Sequence, residues 1–136
     1  MRADGSVAEI VYYGNKTSRD GYVQHSGDDL TGDGGGDDEI IKIKLKKLAP
    51  EVAYVMVFIN VFNRPNLSAV RNCYARLYHG KVKPGHKPLL LCDFFLGKST
   101  GYGSARGVVM AVIARNDAWW DVHPLGLPCD GATAEK

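Results

Sequence analysis

No stretch of this 136-residue chain is apolar for long enough to cross a bilayer. The longest unbroken run, Val52 to Ile59, is far short of the ~20 residues that a spanning helix needs. Cysteine is scarce as well. Cys73, Cys92 and Cys129 are too few and too widely spaced for a disulfide framework or a paired-cysteine zinc site, which points to a reducing, intracellular (cytoplasmic) home. The opening residues, Met1 to Ser6, carry no apolar stretch behind Arg2, so no secretory signal is expected. Internal repeats, inter-domain linkers and long helical patterns are also missing. With 45% apolar and 24% charged residues, the composition is that of one ordinary globular domain, which excludes disorder, collagen and coiled coil for the whole chain.

What is present is a succession of short strand patterns. Ser6 to Tyr13 is rich in β-branched and aromatic residues and reads as a strand, followed by a turn at Ser18-Arg19-Asp20-Gly21 and a short partner strand at Tyr22 to His25. Ile41, Ile43 and Leu45 alternate with Lys42, Lys44 and Lys46, a period that a helix could not keep on separate faces. Ala53 to Asn63 is apolar at both alternating sets, as in a mid-sheet strand covered on both sides. Asn72 to His79 sets Cys73, Ala75 and Leu77 against Asn72, Tyr74, Arg76 and Tyr78. Leu89 to Leu96 and Val108 to Arg115 are further strands, with Asn116-Asp117 turning the latter into Trp119 to His123. Pro65 to Ala69 reads as a single helical turn. The expected fold is all-β, a sandwich of short, mostly antiparallel strands over residues 1–123, with a loose tail over 124–136.

The near-neutral charge balance, +2, hides one strong asymmetry. Six of the 15 acidic residues, Asp28, Asp29, Asp33, Asp37, Asp38 and Glu39, fall between Gly27 and Glu39, with five glycines and no Lys or Arg. Carboxylates this dense repel one another, and a folded loop that keeps them together needs full solvation or a counter-cation. Calcium suits them, because it takes about 6–8 oxygen ligands and tolerates irregular geometry. The glycines let backbone carbonyls turn inward as neutral ligands. Magnesium keeps more of its waters, and zinc wants His or Cys, of which only His25 is near. The loop is not an EF-hand: counted from Asp28, Leu30 and Gly32 stand at the third and fifth ligand positions and Asp33 replaces the turn glycine.

The run Gly27-Asp28-Asp29-Leu30-Thr31-Gly32-Asp33-Gly34-Gly35-Gly36-Asp37-Asp38-Glu39 resembles the GDNLTG-x-G-x-GDDE signature of the TerD family of tellurite-resistance and general-stress proteins. The strand from Val55 to Phe62, the segment Asn66 to Leu77 with its Asn-Cys-Tyr-Ala-Arg-Leu ending, and the late Trp119 or Trp120 extend the resemblance over roughly residues 5 to 123. The resemblance implies a calcium-binding β-sandwich with no catalytic activity, in which Asp28, Asp37, Asp38 and Glu39 match the family's acidic positions. Asp29 stands where the family usually has Asn, and Asp33 is at a variable position. Family members usually begin with further strands bearing an Asp-x-Asp-x-Ser motif, whereas this chain starts just before the strand that precedes the loop. The expectation is therefore a calcium-binding stress-response module that presents a surface to a protein partner. The alternative is a structural or interaction subunit of a larger assembly with a degenerate metal site.

Other motifs have plainer explanations. Gly97-Lys98-Ser99-Thr100 resembles the end of a P-loop, but the glycine required five positions earlier is Cys92. Gly101-x-Gly103-x-x-x-Gly107 misses the dinucleotide spacing. His25, His79, His86 and His123 share no metal-ligand spacing. Lys42, Lys44, Lys46 and Lys47 form a basic stripe that reads as a solvated face protecting a sheet edge, or as a contact for an acidic partner, a phosphate or a membrane surface. Asn72 and Arg76 share a face and suit either a ligand or a buried hydrogen-bonding role. No nucleic-acid partner is expected.

Overall fold

The computed structural model describes residues 1–27, 39–61, 66–69, 74–80, 84–96, 101–102 and 104–131. Among these described residues seven strands follow one another: β1 (Val23–His25), β2 (Ile41–Ile43), β3 (Tyr54–Asn60), β4 (Tyr74–His79), β5 (Leu89–Phe95), β6 (Gly107–Asn116) and β7 (Trp119–Cys129). Two 3-10 turns, Leu45–Lys47 and Leu67–Ala69, are the helical elements among the described residues. The fold is all-β, as the sequence pattern implies. β1 pairs with β2, β4 with β5, and β6 lies between β3 and β7. The β1–β2 and β4–β5 pairs are antiparallel.

By contact density the chain forms two units, Met1–Val55 with Ala114–Asp121 and Met56–Ile113 with Val122–Ala134. The second holds the apolar core. Ala75, Met110 and Ala111 are buried there against Val57, Ile59, Leu77, Cys92 and Phe94, so inward residues of β4 and β5 pack on those of β3 and β6. This is the face-to-face contact of a sandwich. A neighbouring cluster joins Leu67, Leu96, Ala105 and Val108 to Ile59, Val61, Phe94 and Tyr102. The alternation expected for β4 holds: Ala75 is buried and Leu77 half-buried, while Tyr74, Arg76 and Tyr78 face outward.

The first unit contains β1, β2 and the arm ahead of them. The turn at Ser18–Gly21 forms as expected. The Ser18 hydroxyl donates to Asp20 Oδ1 at 2.6 Å and accepts from the Val23 N–H at 3.0 Å, while the Tyr22 N–H donates to the same carboxylate at 2.9 Å. These bonds hold the Asp20 carboxyl below the usual carboxylate range, the Ser18 hydroxyl contributing most.

Several expectations are corrected. Ser6 to Tyr13 is not a strand; Tyr12 closes a tight bridge with Asn15 instead, each N–H donating to the other's carbonyl at 3.0 Å. The segment running back beside β1 is Lys16 to Ser18, and the full ladder partner of β1 is β2. The strand from Ile41 stops at Ile43, because Leu45–Lys47 winds into a 3-10 turn that carries the chain to buried Leu48. The lysine stripe is thus divided between a strand and a helical turn. β3 is less covered than its apolar run implies, with Tyr54 and Met56 exposed. The tail does not begin at Pro124, since β7 continues to Cys129, whose carbonyl accepts from the Arg106 N–H at 3.2 Å.

Candidate metal site

β1 and β2 are the two ends of the acidic segment. Their register sets Val23 opposite Ile43, Gln24 opposite Lys42 and His25 opposite Ile41. Beyond His25, the Ser26 N–H donates to the Ile40 carbonyl and the Ile40 N–H donates to the Ser26 hydroxyl, both at 2.9 Å. The chain between Gly27 and Glu39 is therefore closed at its base by backbone pairing. Closure is tightened by a side chain that the sequence spacing does not reveal. His25, with its side chain only 5% exposed, accepts the Gly27 N–H at Nδ1 (2.9 Å) and directs Nε2 to the Glu39 carboxylate at 3.5 Å. With Nδ1 acting as an acceptor, the ring proton of the neutral imidazole sits on Nε2, on the Glu39 side.

Gly27 itself requires glycine. Its φ is +98°, a left-handed value that side chains disfavour, and an added Cβ would lie 2.9 Å from Lys16 Nζ.

Of the six acidic residues singled out, Glu39 is described, at the base of the loop with its carboxylate half exposed. Asp28, Asp29, Asp33, Asp37 and Asp38 lie outside the described residues. Among the described residues no group of three or more His, Cys, Asp and Glu side chains could hold a metal ion. A metal shell here would be built from Glu39 and the aspartates of the intervening sequence. The donors at the loop base suit a hard cation. They are carboxylate and hydroxyl oxygens beside one imidazole whose Nδ1 is already engaged, and the described cysteines, Cys92 and Cys129, stand on β5 and β7.

The other motifs resolve simply. Gly97 to Thr100, Gly103, Asn72 and Cys73 lie outside the described residues. Gly107 is a close-packing position: an added Cβ would meet the Ile59 carbonyl oxygen at 2.8 Å and Cys129 Sγ at 3.0 Å. Cys92 packs against the core, and burial pushes its thiol pKa up. Arg76 lies over the Tyr74 ring, 4.5 Å from its centre, in a shallow recess lined also by Asp93 and Phe95. No helix among the described residues is long and apolar enough to cross a membrane.

Comparison with known proteins agrees with the loop signature. The chain is 32% identical over 135 residues to Tellurium resistance protein TerZ of Serratia marcescens, covering 99% of this chain and 65% of that protein. It is 29% identical over 121 residues to Stress response protein SCP2 of Bacillus subtilis (86% of this chain, 57% of that protein). Tellurium resistance protein TerD of Serratia marcescens is 36% identical over 84 residues, which is 57% of this chain and 44% of that protein. The chain thus spans less than two thirds of each of these relatives. Among solved structures, the unknown function protein SAV2460 superposes with a TM-score of 0.77 at 23% identity, over 94% of this chain and 71% of that one, a likeness of fold. The TerD domain matches residues 2–134, nearly the whole sequence, and the chain belongs to the TerD domain family.

Proposed function

We propose that the chain is a non-enzymatic, calcium-binding stress-response module of the tellurium-resistance type, acting inside the cell. In this reading the ion rigidifies the acidic loop, and the ordered loop forms a surface for a protein partner. The observation that carries the reading is the closed base. β1–β2 pairing and the His25–Glu39 contact tie the ends of a thirteen-residue segment holding six carboxylates. Closing the loop confines those charges to a small volume, where their mutual repulsion favours a divalent cation. Bound calcium would supply charge neutralisation and a fixed oxygen cage. Glu39 would present its carboxylate from a position set by His25, with Asp28, Asp29, Asp33, Asp37 and Asp38 completing the oxygen donors. The names of the relatives, tellurium resistance and stress response, support the stress role.

The reading is tested by thermal melting in chelator and in calcium. An ion that binds the folded state alone adds RT ln(1 + [L]/Kd), about 2.7 kcal/mol at a hundredfold excess over Kd. An upward shift of several degrees supports the reading, and coincident melts contradict it. An interaction subunit without the ion is the second reading, favoured by the apolar residues exposed on the outer face of β4 and β5.

A further inference from the structure

The β4–β5 sheet has two unlike faces. Ala75, Leu77, Cys92 and Phe94 enter the core cluster. The intervening residues Tyr74, Arg76, Asp93 and Phe95 line the shallow recess on the other side, with Tyr74 43% and Phe95 52% exposed. The register sets Tyr74 opposite Phe95 and Arg76 opposite Asp93.

We propose that this outer face is a self-association surface whose occupant is the same face of a second copy of the chain. A two-fold axis running parallel to the strands, midway between them, lays β4 of one copy over β5 of the other. Because both pairs are directly opposite in register, that one operation sets each Arg76 against the Asp93 of the other copy and each Tyr74 against the other Phe95. An isologous interface must be self-complementary, and this face is so in charge and in aromatic contact at once. Sliding the copies along the strands would lose the arginine–aspartate crossings. Stacked sheets lie about 10 Å apart, a gap that an arginine and an aspartate reaching from opposite sides can close. The roughly 30° crossing of aligned sheets displaces contacts least near the point where the sheets cross, which in this dimer lies between the Tyr74–Phe95 and Arg76–Asp93 rows.

The face is small. Seven residues of β5 at about 3.3 Å each, across two strands about 4.8 Å apart, give an area well under the roughly 800 Å² per partner of a standard interface. The dimer is accordingly weak and exchanging.

Sedimentation velocity on the whole chain, with Arg76→Asp and Asp93→Arg prepared separately, tests the proposal. Each variant alone brings like charges together across the axis and is expected to associate at least about tenfold more weakly than the parent protein. Mixed in equal amounts, the two variants form a pair in which both crossings join opposite charges, and association returns. A charge conflict between β4 and β5 within one chain cannot be repaired by mixing, so recovery isolates the interface from any folding defect. Should either variant fail to fold by circular dichroism, dilution of the parent protein from about 1 mM to about 20 μM carries the test, read by amide chemical shifts. Shifts confined to β4 and β5 support the proposal. A parent protein monomeric throughout, shifts confined to other strands, single variants that associate like the parent, or a mixture that does not recover would each overturn it.

Discussion

The guanidinium of Arg115 lies 4.3 Å from the centre of the Trp120 ring, stacked across the hairpin that joins β6 to β7. The same group secures the irregular segment ahead of β3. Its Nε donates to the Val52 carbonyl at 2.9 Å, and its Nη2 donates to the carbonyls of Leu48 (3.1 Å) and Ala49 (2.9 Å). One side chain thus satisfies three carbonyls that no strand ladder serves.

Arg115→Ala should therefore cost about 2–4 kcal/mol, since charged hydrogen bonds and a cation–π contact are lost together and the Leu48 and Val52 carbonyls lose this donor, while the Ala49 carbonyl keeps the Val52 N–H. Arg115→Lys should recover less than half of this, because an ammonium cannot reproduce the planar fork. Urea unfolding followed by tryptophan fluorescence measures both, and an unchanged midpoint for Arg115→Ala would refute the clamp.

Gly107→Ala should destabilise the second unit by about 1–3 kcal/mol. The new methyl meets backbone and sulfur rather than the end of a flexible side chain, so neighbouring strands must shift to admit it. Gly101→Ala, where nothing lies within 4 Å of an added Cβ, is the control expected to leave the midpoint nearly unchanged.

At the Ser18 turn the carboxyl of Asp20 is held below its usual range by the Ser18 hydroxyl first and the Tyr22 N–H second. A depressed carboxylate stabilises the folded state above its unfolded value, near pH 4, and the benefit disappears as pH falls through the lower folded value. Ser18→Ala should move the Asp20 midpoint upward in a carbon-detected NMR titration. A midpoint that stays in place would show that the hydroxyl does not set it.

At the base of the loop, Gly27→Ala should weaken the β1–β2 pair by about 1–2 kcal/mol through its left-handed φ. Amide exchange of Ser26, whose N–H bonds to Ile40, reports this locally. Exchange as slow as in the parent chain would contradict the strained geometry.

Much of the fold could be read from residue alternation because burial acts on alternate residues. The faces of β4 followed from Ala75 and Leu77 set against Tyr74 and Arg76, and the Asn116-Asp117 turn is the place where Asp117 takes a φ of +46°. Alternation failed where a local bond competes with a ladder. Tyr12 satisfies itself on Asn15, and Leu45, half-buried, stands in a 3-10 turn rather than an extended strand. Gly107 stood out in the sequence only as the end of a glycine run that misses the dinucleotide spacing, since crowding by Ile59 and Cys129 is invisible until three strands meet. The partnership of His25 with Glu39 was hidden for the same reason: only the β1–β2 register brings them together. The aspartates were legible as a chemical cluster, and that chemistry, with the closed base, carries the calcium reading.

Calorimetric titration of chelator-stripped protein with calcium, with magnesium as the control, tests that reading most directly. Saturable, calcium-selective heat that Asp38→Ala abolishes while the fold persists is the expected result. A folded protein that releases no binding heat, or binds magnesium and calcium alike with Asp38→Ala unchanged, would contradict it.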